Sequence, residues 1–213
     1  MDPQAARLQI LATEHWSLLA SRSLAWNESF SRAGMFLTAV SGSVVTLALL
    51  AQGFGFGRTF AWCALAVLPV VFLLGIATYL RLGAANYHEF QCVLGMNRIR
   101  AAYLRMAPDL EPHFVMSAHD DMPGLSVTMA LPPGQRRWPH LLSATPAVVG
   151  VLTAVIAGVI GVLLGYLLGG GAVVLAAAGV AAAAVTLVSF ARVARVNVAR
   201  TWAAHQPLFP TSE

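Results

Sequence analysis

The stretch PAVVGVLTAVIAGVIGVLLGYLL, residues 146–168, decides the fold class, because its 23 positions contain no charged residue and no histidine. A helix rises about 1.5 Å per residue, so about 20 apolar residues cross a hydrocarbon core of about 30 Å. Three further stretches share this property: residues 33–51, 60–79 and 172–191. All four are continuously apolar instead of alternating, which favours helices over barrel strands. We therefore predict an all-α integral membrane protein with four transmembrane helices and cytoplasmic helical extensions.

The composition agrees with this prediction and argues against a soluble domain. Charged residues make up 10 % of the chain and apolar residues 58 %, whereas soluble domains have about 25 % charged residues. The basic residues are all arginines, and the formal net charge is +4. No nucleic-acid-binding motif accompanies this charge, so we expect no nucleic-acid partner and assign the arginine flanks to anionic lipid.

The arginines are distributed asymmetrically around the predicted spans. They precede the first span, occur throughout the segment between the second and third spans, and follow the fourth. Arg58 is the only arginine in the loop 52–59, and the turn 169–171 has none. By the positive-inside rule, both termini and the long middle segment are cytoplasmic. The lysine-free, alanine- and arginine-rich composition is typical of a GC-rich genome, so we expect a multi-pass protein of a bacterial inner (plasma) membrane.

Breaker and capping residues divide the chain further. Asp2 and Pro3 predict the start of a helix that continues into the first span. The second span is predicted to continue as a helix to about Met106, where Pro108 ends it. Residues 107–143 contain six prolines and predict an irregular connector. The predicted segments are a cytoplasmic amphipathic helix (1–32), a first hairpin (33–79), a cytoplasmic helix and connector (80–145), a second hairpin (146–191) and a basic tail (192–213).

Two heptad seams in the cytoplasmic helices predict that each packs along another helix. The first seam consists of Ala12, Trp16, Leu19, Ser23, Trp26 and Phe30. The second consists of Tyr87, Phe90, Leu94, Asn97, Ala101 and Leu104. A lone Asn in such a seam can specify register and partner number. The seams either pack against each other within one subunit or form a coiled coil between chains. The candidates for oligomerisation or partner binding are Trp16, Leu19, Trp26, Tyr87, Leu94, Asn97 and Leu104.

The first span carries most of the intramembrane polarity, on one side of the helix. At about 100° per residue, one stripe contains small, hydroxyl-bearing and apolar side chains. Two interpretations remain open: the stripe lines a wet pathway in which Val45 and Leu49 form a hydrophobic constriction, or it mediates helix packing. The candidate pore-lining residues are Gly34, Thr38, Ser41, Gly42, Val45, Leu49 and Gln52.

The third and fourth spans show small-residue faces. Gly158, Gly161 and Gly165 recur at helical spacing, and Gly179 with Ala183 repeats the pattern in the fourth span. We predict that these faces bring two membrane helices close together. None of the four spans contains an ionisable residue, which argues against a proton-coupled pump.

The sequence predicts no metal site, no active site and no cofactor. The segment His119-Asp120-Asp121, with His113 nearby, has ligand-type side chains, but its spacing matches no zinc or calcium signature. His88, Glu89 and Cys92 share a helical face, yet nothing orients them as nucleophile and base. We therefore do not expect an enzyme.

The long helix before the first span, through His15–Phe30, and the helix after the second, through Tyr87–Arg105, resemble the SLATT family of prokaryotic membrane effectors. That resemblance is architectural, covers about the first half of the chain, and implies a pore-forming effector. The second hairpin departs from a two-span pattern. The leading prediction is a homo-oligomeric channel or pore-forming effector whose first span lines the pathway. The alternative is a non-conducting membrane adaptor that binds a cytoplasmic protein.

Overall fold

The structure is a computed structural model that describes residues 2–130 and 145–211. The regular elements within these ranges are all helical, as predicted. They are α1 (Pro3–Phe54), α2 (Arg58–Met106), a 3-10 helix (Pro108–His113), α3 (Met122–Thr128), α4 (Thr145–Leu167) and α5 (Ala172–Ala203). Helices α1, α2, α4 and α5 are long and apolar enough to cross a membrane, which confirms the four predicted spanning helices by length and composition.

The ends of the long helices follow from local chemistry. The Asp2 carboxylate accepts a hydrogen bond from the Gln4 amide at 3.0 Å, which caps α1 at the predicted position. Gly55, just after α1, has a φ of 66°, a left-handed conformation that glycine adopts without strain. α2 continues without interruption to Met106, two residues before Pro108, as predicted. Helix α1 therefore extends from the amphipathic segment through the first apolar stretch, and α2 extends past the second.

The turn between α4 and α5 has the geometry of a Schellman motif. Gly169 has a φ of 79°, and the Gly170 amide donates to the Gly165 carbonyl at 3.0 Å. The left-handed residue and the bond spanning five residues together end a helix and satisfy its last carbonyls. The glycine run therefore makes the tight turn that the sequence predicts.

The connector is more ordered than its prolines suggest. It contains the 3-10 helix Pro108–His113 and α3, whose first turn is capped by Asp121 accepting from the Gly124 amide at 3.0 Å. The prediction of an irregular connector is therefore wrong for these two elements, because proline is tolerated in the first turn of a helix. The rest of the connector, 131–144 with Arg136 and Arg137, lies outside the described residues.

The described residues divide into two compact units. Unit 1 contains residues 2–28, 84–130 and 203–211, and unit 2 contains residues 29–83 and 145–202. Each unit is therefore built from separate parts of the sequence. The boundary between the two units crosses α1 after residue 28 and α2 after residue 83. Both points lie close to the predicted boundaries between the cytoplasmic segments and the first hairpin.

Unit 2 has an apolar core formed by α1, α2 and α4. Phe36 from α1, Leu68 from α2 and Val149 from α4 are buried in it. A side chain at Gly75 would collide with Thr153, so glycine is what allows α2 and α4 to approach closely there. Tyr79 stacks on Phe190 of α5 with ring centroids 4.0 Å apart. Aromatic stacking thus adds α5 to the three-helix core.

The predicted small-residue packing of α4 and α5 is confirmed. A Cβ built on Gly158 would lie 3.2 Å from the Gly179 carbonyl oxygen and 3.4 Å from the Ala183 Cβ. A Cβ on Gly161 would lie only 2.7 Å from the Ala178 carbonyl oxygen. The two backbones touch at these positions, and van der Waals contact over a small-residue face holds such a pair together in lipid.

Unit 1 packs α1 against α2 through a face next to the predicted seam. A Cβ on Gly95 would lie 2.7 Å from a methyl group of Leu18, so this leucine sits directly over the glycine. Val93, Met96 and Leu125 are also buried in this unit. The packed positions of α1 are thus offset from Trp16 and Leu19, which the heptad pattern places in the seam.

Candidate functional site

The part of α1 within unit 2 has one packed side and one free side. Ala33, Phe36 and Ser43 are buried against the rest of the unit. Ser43 uses its hydroxyl there, donating to the Val40 carbonyl at 2.7 Å. Spacings of three and seven residues return to the same side of a helix, so these residues define the packed side of α1.

The predicted polar stripe lies on the opposite side of α1. At about 100° per residue, its members cluster roughly half a turn away from the packed residues. All of them are exposed: Gly34, Thr38, Ser41, Gly42, Val45, Leu49 and Gln52. Val45 and Leu49 keep 59 % and 63 % of their surface accessible. The stripe therefore makes no part of the core of a single chain.

The glycines of the stripe have no packing role within the chain. A Cβ built on Gly34 or Gly42 meets nothing within 4 Å, in contrast to Gly161 of α4. Within a single chain, helix packing therefore explains the small residues of α4 and α5 but not those of α1. In the single chain this face is therefore exposed to whatever surrounds the helix, whether lipid, water or another chain.

The hydroxyl groups on the free side of α1 differ in whether they form a hydrogen bond within the chain. Thr38 and Thr46 donate to the carbonyls of Gly34 and Gly42, at 3.0 and 2.9 Å. Such bonds to the preceding turn let a threonine face an apolar solvent. Ser41 has no hydrogen-bond partner within the described residues and lies near the middle of the apolar stretch 33–51. Its hydroxyl is the strongest indication that the stripe contacts something polar.

The predicted partner residues of unit 1 separate into exposed and buried sets. Trp16, Leu19, Trp26 and Tyr87 expose between 40 and 69 % of their surface. Leu94 and Asn97 are buried inside the unit, and Leu104 is partly buried. Leu94 and Asn97 are consequently not available to another chain in this conformation, because their own unit already covers them.

Asn97 connects three separate parts of unit 1. Its side-chain nitrogen donates to the His119 carbonyl at 2.7 Å, and its oxygen accepts from Thr128 at 2.9 Å and from Arg100 at 2.7 Å. The side chain has no exposed surface. A buried amide that satisfies both of its ends holds the segments it joins in one arrangement. Asn97 therefore fixes the connector on α2.

Two ion pairs that the sequence analysis did not identify stabilise unit 1. Arg22 donates to Glu89 through Nη2 at 2.8 Å, and Arg98 donates to Asp120 through Nε at 2.8 Å. The partners are 67 and 22 residues apart in sequence. In the sequence, each of these arginines stands out only as a charged residue on an otherwise apolar side of a helix. That pattern does not identify the acidic residue with which the arginine pairs.

The acidic connector residues hold the tail. Asp120 accepts from the amides of Leu208 and Phe209 at 3.0 and 2.7 Å, and Asp121 accepts from the Thr211 amide at 2.7 Å. Within 2–130 and 145–211, no group of three or more His, Cys, Asp or Glu side chains is arranged to hold a metal ion. The two aspartates thus bind the main chain of the tail.

The three side chains that share one face of α2, His88, Glu89 and Cys92, make structural contacts. Cys92 Sγ lies 3.7 Å from His88 Nε2, while Glu89 binds Arg22. Burial raises the pKa of the Cys92 thiol, and the nearby Arg22 charge lowers it less. A thiol with a raised pKa stays protonated near neutral pH and is a poor nucleophile.

The basic end of α5 is exposed along its whole length. Arg192, Arg195 and Arg200 lie on the surface together with Val193 and Val196. Arginines interleaved with exposed valines are suited to an interface between water and lipid headgroups.

Comparisons of the chain with protein-family models, with curated proteins and with solved structures found no match.

Proposed function

We propose that the chain forms a homo-oligomeric channel or pore-forming effector in which the free side of α1 lines the pathway. The supporting observation is the exposure of a stripe containing Ser41, Gly42 and Gln52 on the side of α1 opposite its packed side. A hydroxyl or amide that faces hydrocarbon without a partner costs free energy. Several copies arranged around an axis would turn this stripe toward water and toward each other.

The chemistry of the stripe fits a gated, weakly polar pathway. Thr38 and Ser41 offer oxygens that can replace part of the hydration shell of an ion, while Val45 and Leu49 provide an apolar ring that can close by dewetting. The stripe contains no charge. A pathway of this kind discriminates by size and dehydration more than by the sign of the charge.

The membrane topology is part of the same proposal. In it, unit 1 and both termini lie in the cytoplasm of a bacterial cell and the protein lies in the plasma membrane, a topology that the arginine distribution supports through the positive-inside rule. Anionic lipid would then contact Arg192, Arg195 and Arg200 at the exposed end of α5.

Flux through reconstituted liposomes tests the pathway directly. Ser41→Trp and Val45→Trp should each reduce ion flux by about tenfold or more, because an indole ring fills a narrow pathway. The matched control is Val44→Trp, which places the same bulk on an exposed position of α1 about 100° from Val45. Equal flux in wild type and both stripe variants would overturn the proposal.

Subunit number is the second test. Single-particle images of protein extracted in mild detergent should show a closed ring of four or more copies with α1 at the axis. A monomer, or a dimer closed at its centre, would contradict the channel.

The alternative is a non-conducting adaptor, favoured by the exposure of Trp16, Trp26 and Tyr87 in unit 1. Large exposed aromatic side chains are enriched at protein interfaces. Crosslinking from a photoreactive residue at position 16 to a second kind of protein, lost in Trp26→Asp and Tyr87→Asp, would favour the adaptor. Crosslinks only between copies of this chain would favour the oligomer.

A further inference from the structure

Three partly buried arginines of unit 1 differ in how they use their guanidinium groups. Arg22 places Nε and Nη2 on one oxygen of Glu89, at 3.1 and 2.8 Å. Arg98 places Nε on Asp120 at 2.8 Å. The edge that suits bidentate binding of an oxyanion is thus occupied by a carboxylate in Arg22. In Arg98 it is occupied by the Asp120 carboxylate at Nε and by the Gln206 carbonyl at Nη2, 3.5 Å away.

Arg100 is the exception among the three. It donates only through Nη1, to Asn97 Oδ1 at 2.7 Å and to the Ser117 carbonyl at 3.4 Å, and both acceptors are uncharged. Its Nε and Nη2 have no acceptor within the described residues. This partly buried cation therefore has no counter-charge from that part of the chain, and its bidentate edge has no acceptor there.

The guanidinium of Arg100 is held in place through its Nη1 atom. The acceptor for Nη1, Asn97, is fully buried and is itself fixed by bonds to the His119 carbonyl and the Thr128 hydroxyl. A guanidinium anchored at one nitrogen loses less freedom when the other two bind a ligand. The network that fixes the connector thus also preorganises Arg100.

Two further polar side chains of unit 1, His15 and Tyr103, have a group that makes no hydrogen bond within the described residues. His15 Nδ1 is buried and has no hydrogen-bond partner in the described structure. Its ring is 6.5 Å from that of Tyr103, one helical turn beyond Arg100, and the Tyr103 hydroxyl also makes no hydrogen bond within the described residues. Burial lowers the pKa of His15, and the Arg100 charge lowers it further.

We propose that Arg100, His15 and Tyr103 form a binding site for an oxyanion, the phosphate or carboxylate group of a small ligand or a lipid headgroup. Arg100 binds two oxygens through Nε and Nη2, and the Tyr103 hydroxyl and His15 Nδ1–H donate to the remaining lone pairs. An anion here supplies the counter-charge that Arg100 lacks and satisfies the buried imidazole nitrogen. The site lies wholly within unit 1 and goes beyond the proposed channel.

Isothermal titration calorimetry on the full chain in neutral-lipid nanodiscs tests this site, with sodium phosphate and sodium acetate as probes at constant ionic strength. Arg100→Gln should weaken binding of at least one probe by about tenfold or more, the loss expected for a charge-assisted bidentate contact. Arg7→Gln is the matched control, since it removes an exposed arginine from the same unit. It should leave the affinity within about twofold.

A gentler variant separates binding from folding. Tyr103→Phe removes only a hydroxyl, so it should fold like wild type and weaken binding by about threefold or more, as expected for one hydrogen bond. Circular dichroism without anion shows whether Arg100→Gln has kept its helices. If that variant is unfolded, the Tyr103→Phe comparison alone decides.

Lipid composition identifies the source of the oxyanion. In nanodiscs containing phosphatidylglycerol, phosphate binding that is weakened in wild type supports a headgroup as the natural occupant. Binding that is unchanged supports a soluble anion. The proposal is overturned if neither probe binds wild type, or if Arg100→Gln and Tyr103→Phe bind as wild type does. None of these measurements depends on ion flux, so this site and the channel can fail independently.

Discussion

Arg98 Nε lies 2.8 Å from Oδ2 of Asp120, a carboxylate with no exposed surface. The same carboxylate accepts from the amides of Leu208 and Phe209, and the Asp120 amide donates to the Phe209 carbonyl at 3.1 Å. One buried side chain thus joins α2 and the connector to the tail. The tail is bound through the main-chain amides of Leu208 and Phe209 and through the His205 side chain, which lies 2.7 Å from the Asp120 carbonyl. Asp120 is therefore the residue on which most of these contacts meet.

Replacement of Asp120 by Asn should release the tail. The amide keeps the size of the side chain but loses the charge, and its NH₂ group then faces a donor. We expect a loss of about 2–3 kcal/mol in the free energy of unfolding, the usual effect of breaking a buried, charge-assisted network. Denaturant unfolding in detergent measures this loss. Asp109→Asn, an exposed acid in the same connector, is the control and should change little.

The attachment of the tail should weaken in acid. Burial alone would raise the pKa of Asp120, but hydrogen bonds from Leu208, Phe209 and Arg98 outweigh it and hold that pKa below its usual range. Burial also raises the pKa of Asp121, but hydrogen bonds from Thr211 and Gly124 lower it by more. The net effect is again a decrease. A carboxylate whose pKa is lower in the folded state than in the unfolded state stabilises the fold. This stabilisation is complete above about pH 5 and is lost below about pH 4.

Thermal unfolding at pH 7, 5 and 3 checks this pH dependence. Wild type should lose stability mainly between pH 5 and 3. A double variant, Asp120→Asn with Asp121→Asn, should be less stable at pH 7 and should show a smaller decrease. An equally steep decrease in the double variant would show that other groups cause the acid sensitivity.

Gly161→Val should destabilise the pair formed by α4 and α5. A Cβ at this position would lie 2.7 Å from the Ala178 carbonyl oxygen, so the helices must separate. The expected cost is about 1–3 kcal/mol, typical of overpacking. The thermal midpoint of unfolding measures it. Gly34→Val is the comparison in α1, because its Cβ would meet nothing within 4 Å in the single chain.

Gly42→Leu should distinguish contacts between chains from contacts within one. The position faces open space, so the variant should keep the helical content of wild type. If copies pack along the free side of α1, a leucine there forces them apart and lowers the subunit number. Native mass spectrometry in detergent reports that number. An oligomer unchanged by Gly42→Leu would place the interface elsewhere.

Periodicity and length were enough to predict much of this fold. The four apolar stretches, the cap at Asp2, the end of α2 at Met106 and the turn at Gly169 all depend on neighbours within a few residues. The exposed stripe containing Ser41 was also visible as a helical period. What periodicity could not show was that Gly34 and Gly42 face open space while Gly161 touches Ala178, because both patterns consist of small residues at similar spacing.

The amino-acid sequence by itself determined the helices and their ability to cross a membrane, since hydrogen bonding within a helix and transfer of side chains into lipid are local properties. Only the tertiary structure decided which side of α1 is packed, that Asn97 is enclosed within its own chain, and that Asp120 binds the tail. It also decided which arginines have a carboxylate partner and that Arg100 has none within the described residues. Those outcomes depend on residues tens of positions apart, whose meeting is set by the packing of whole helices and not by any local signal.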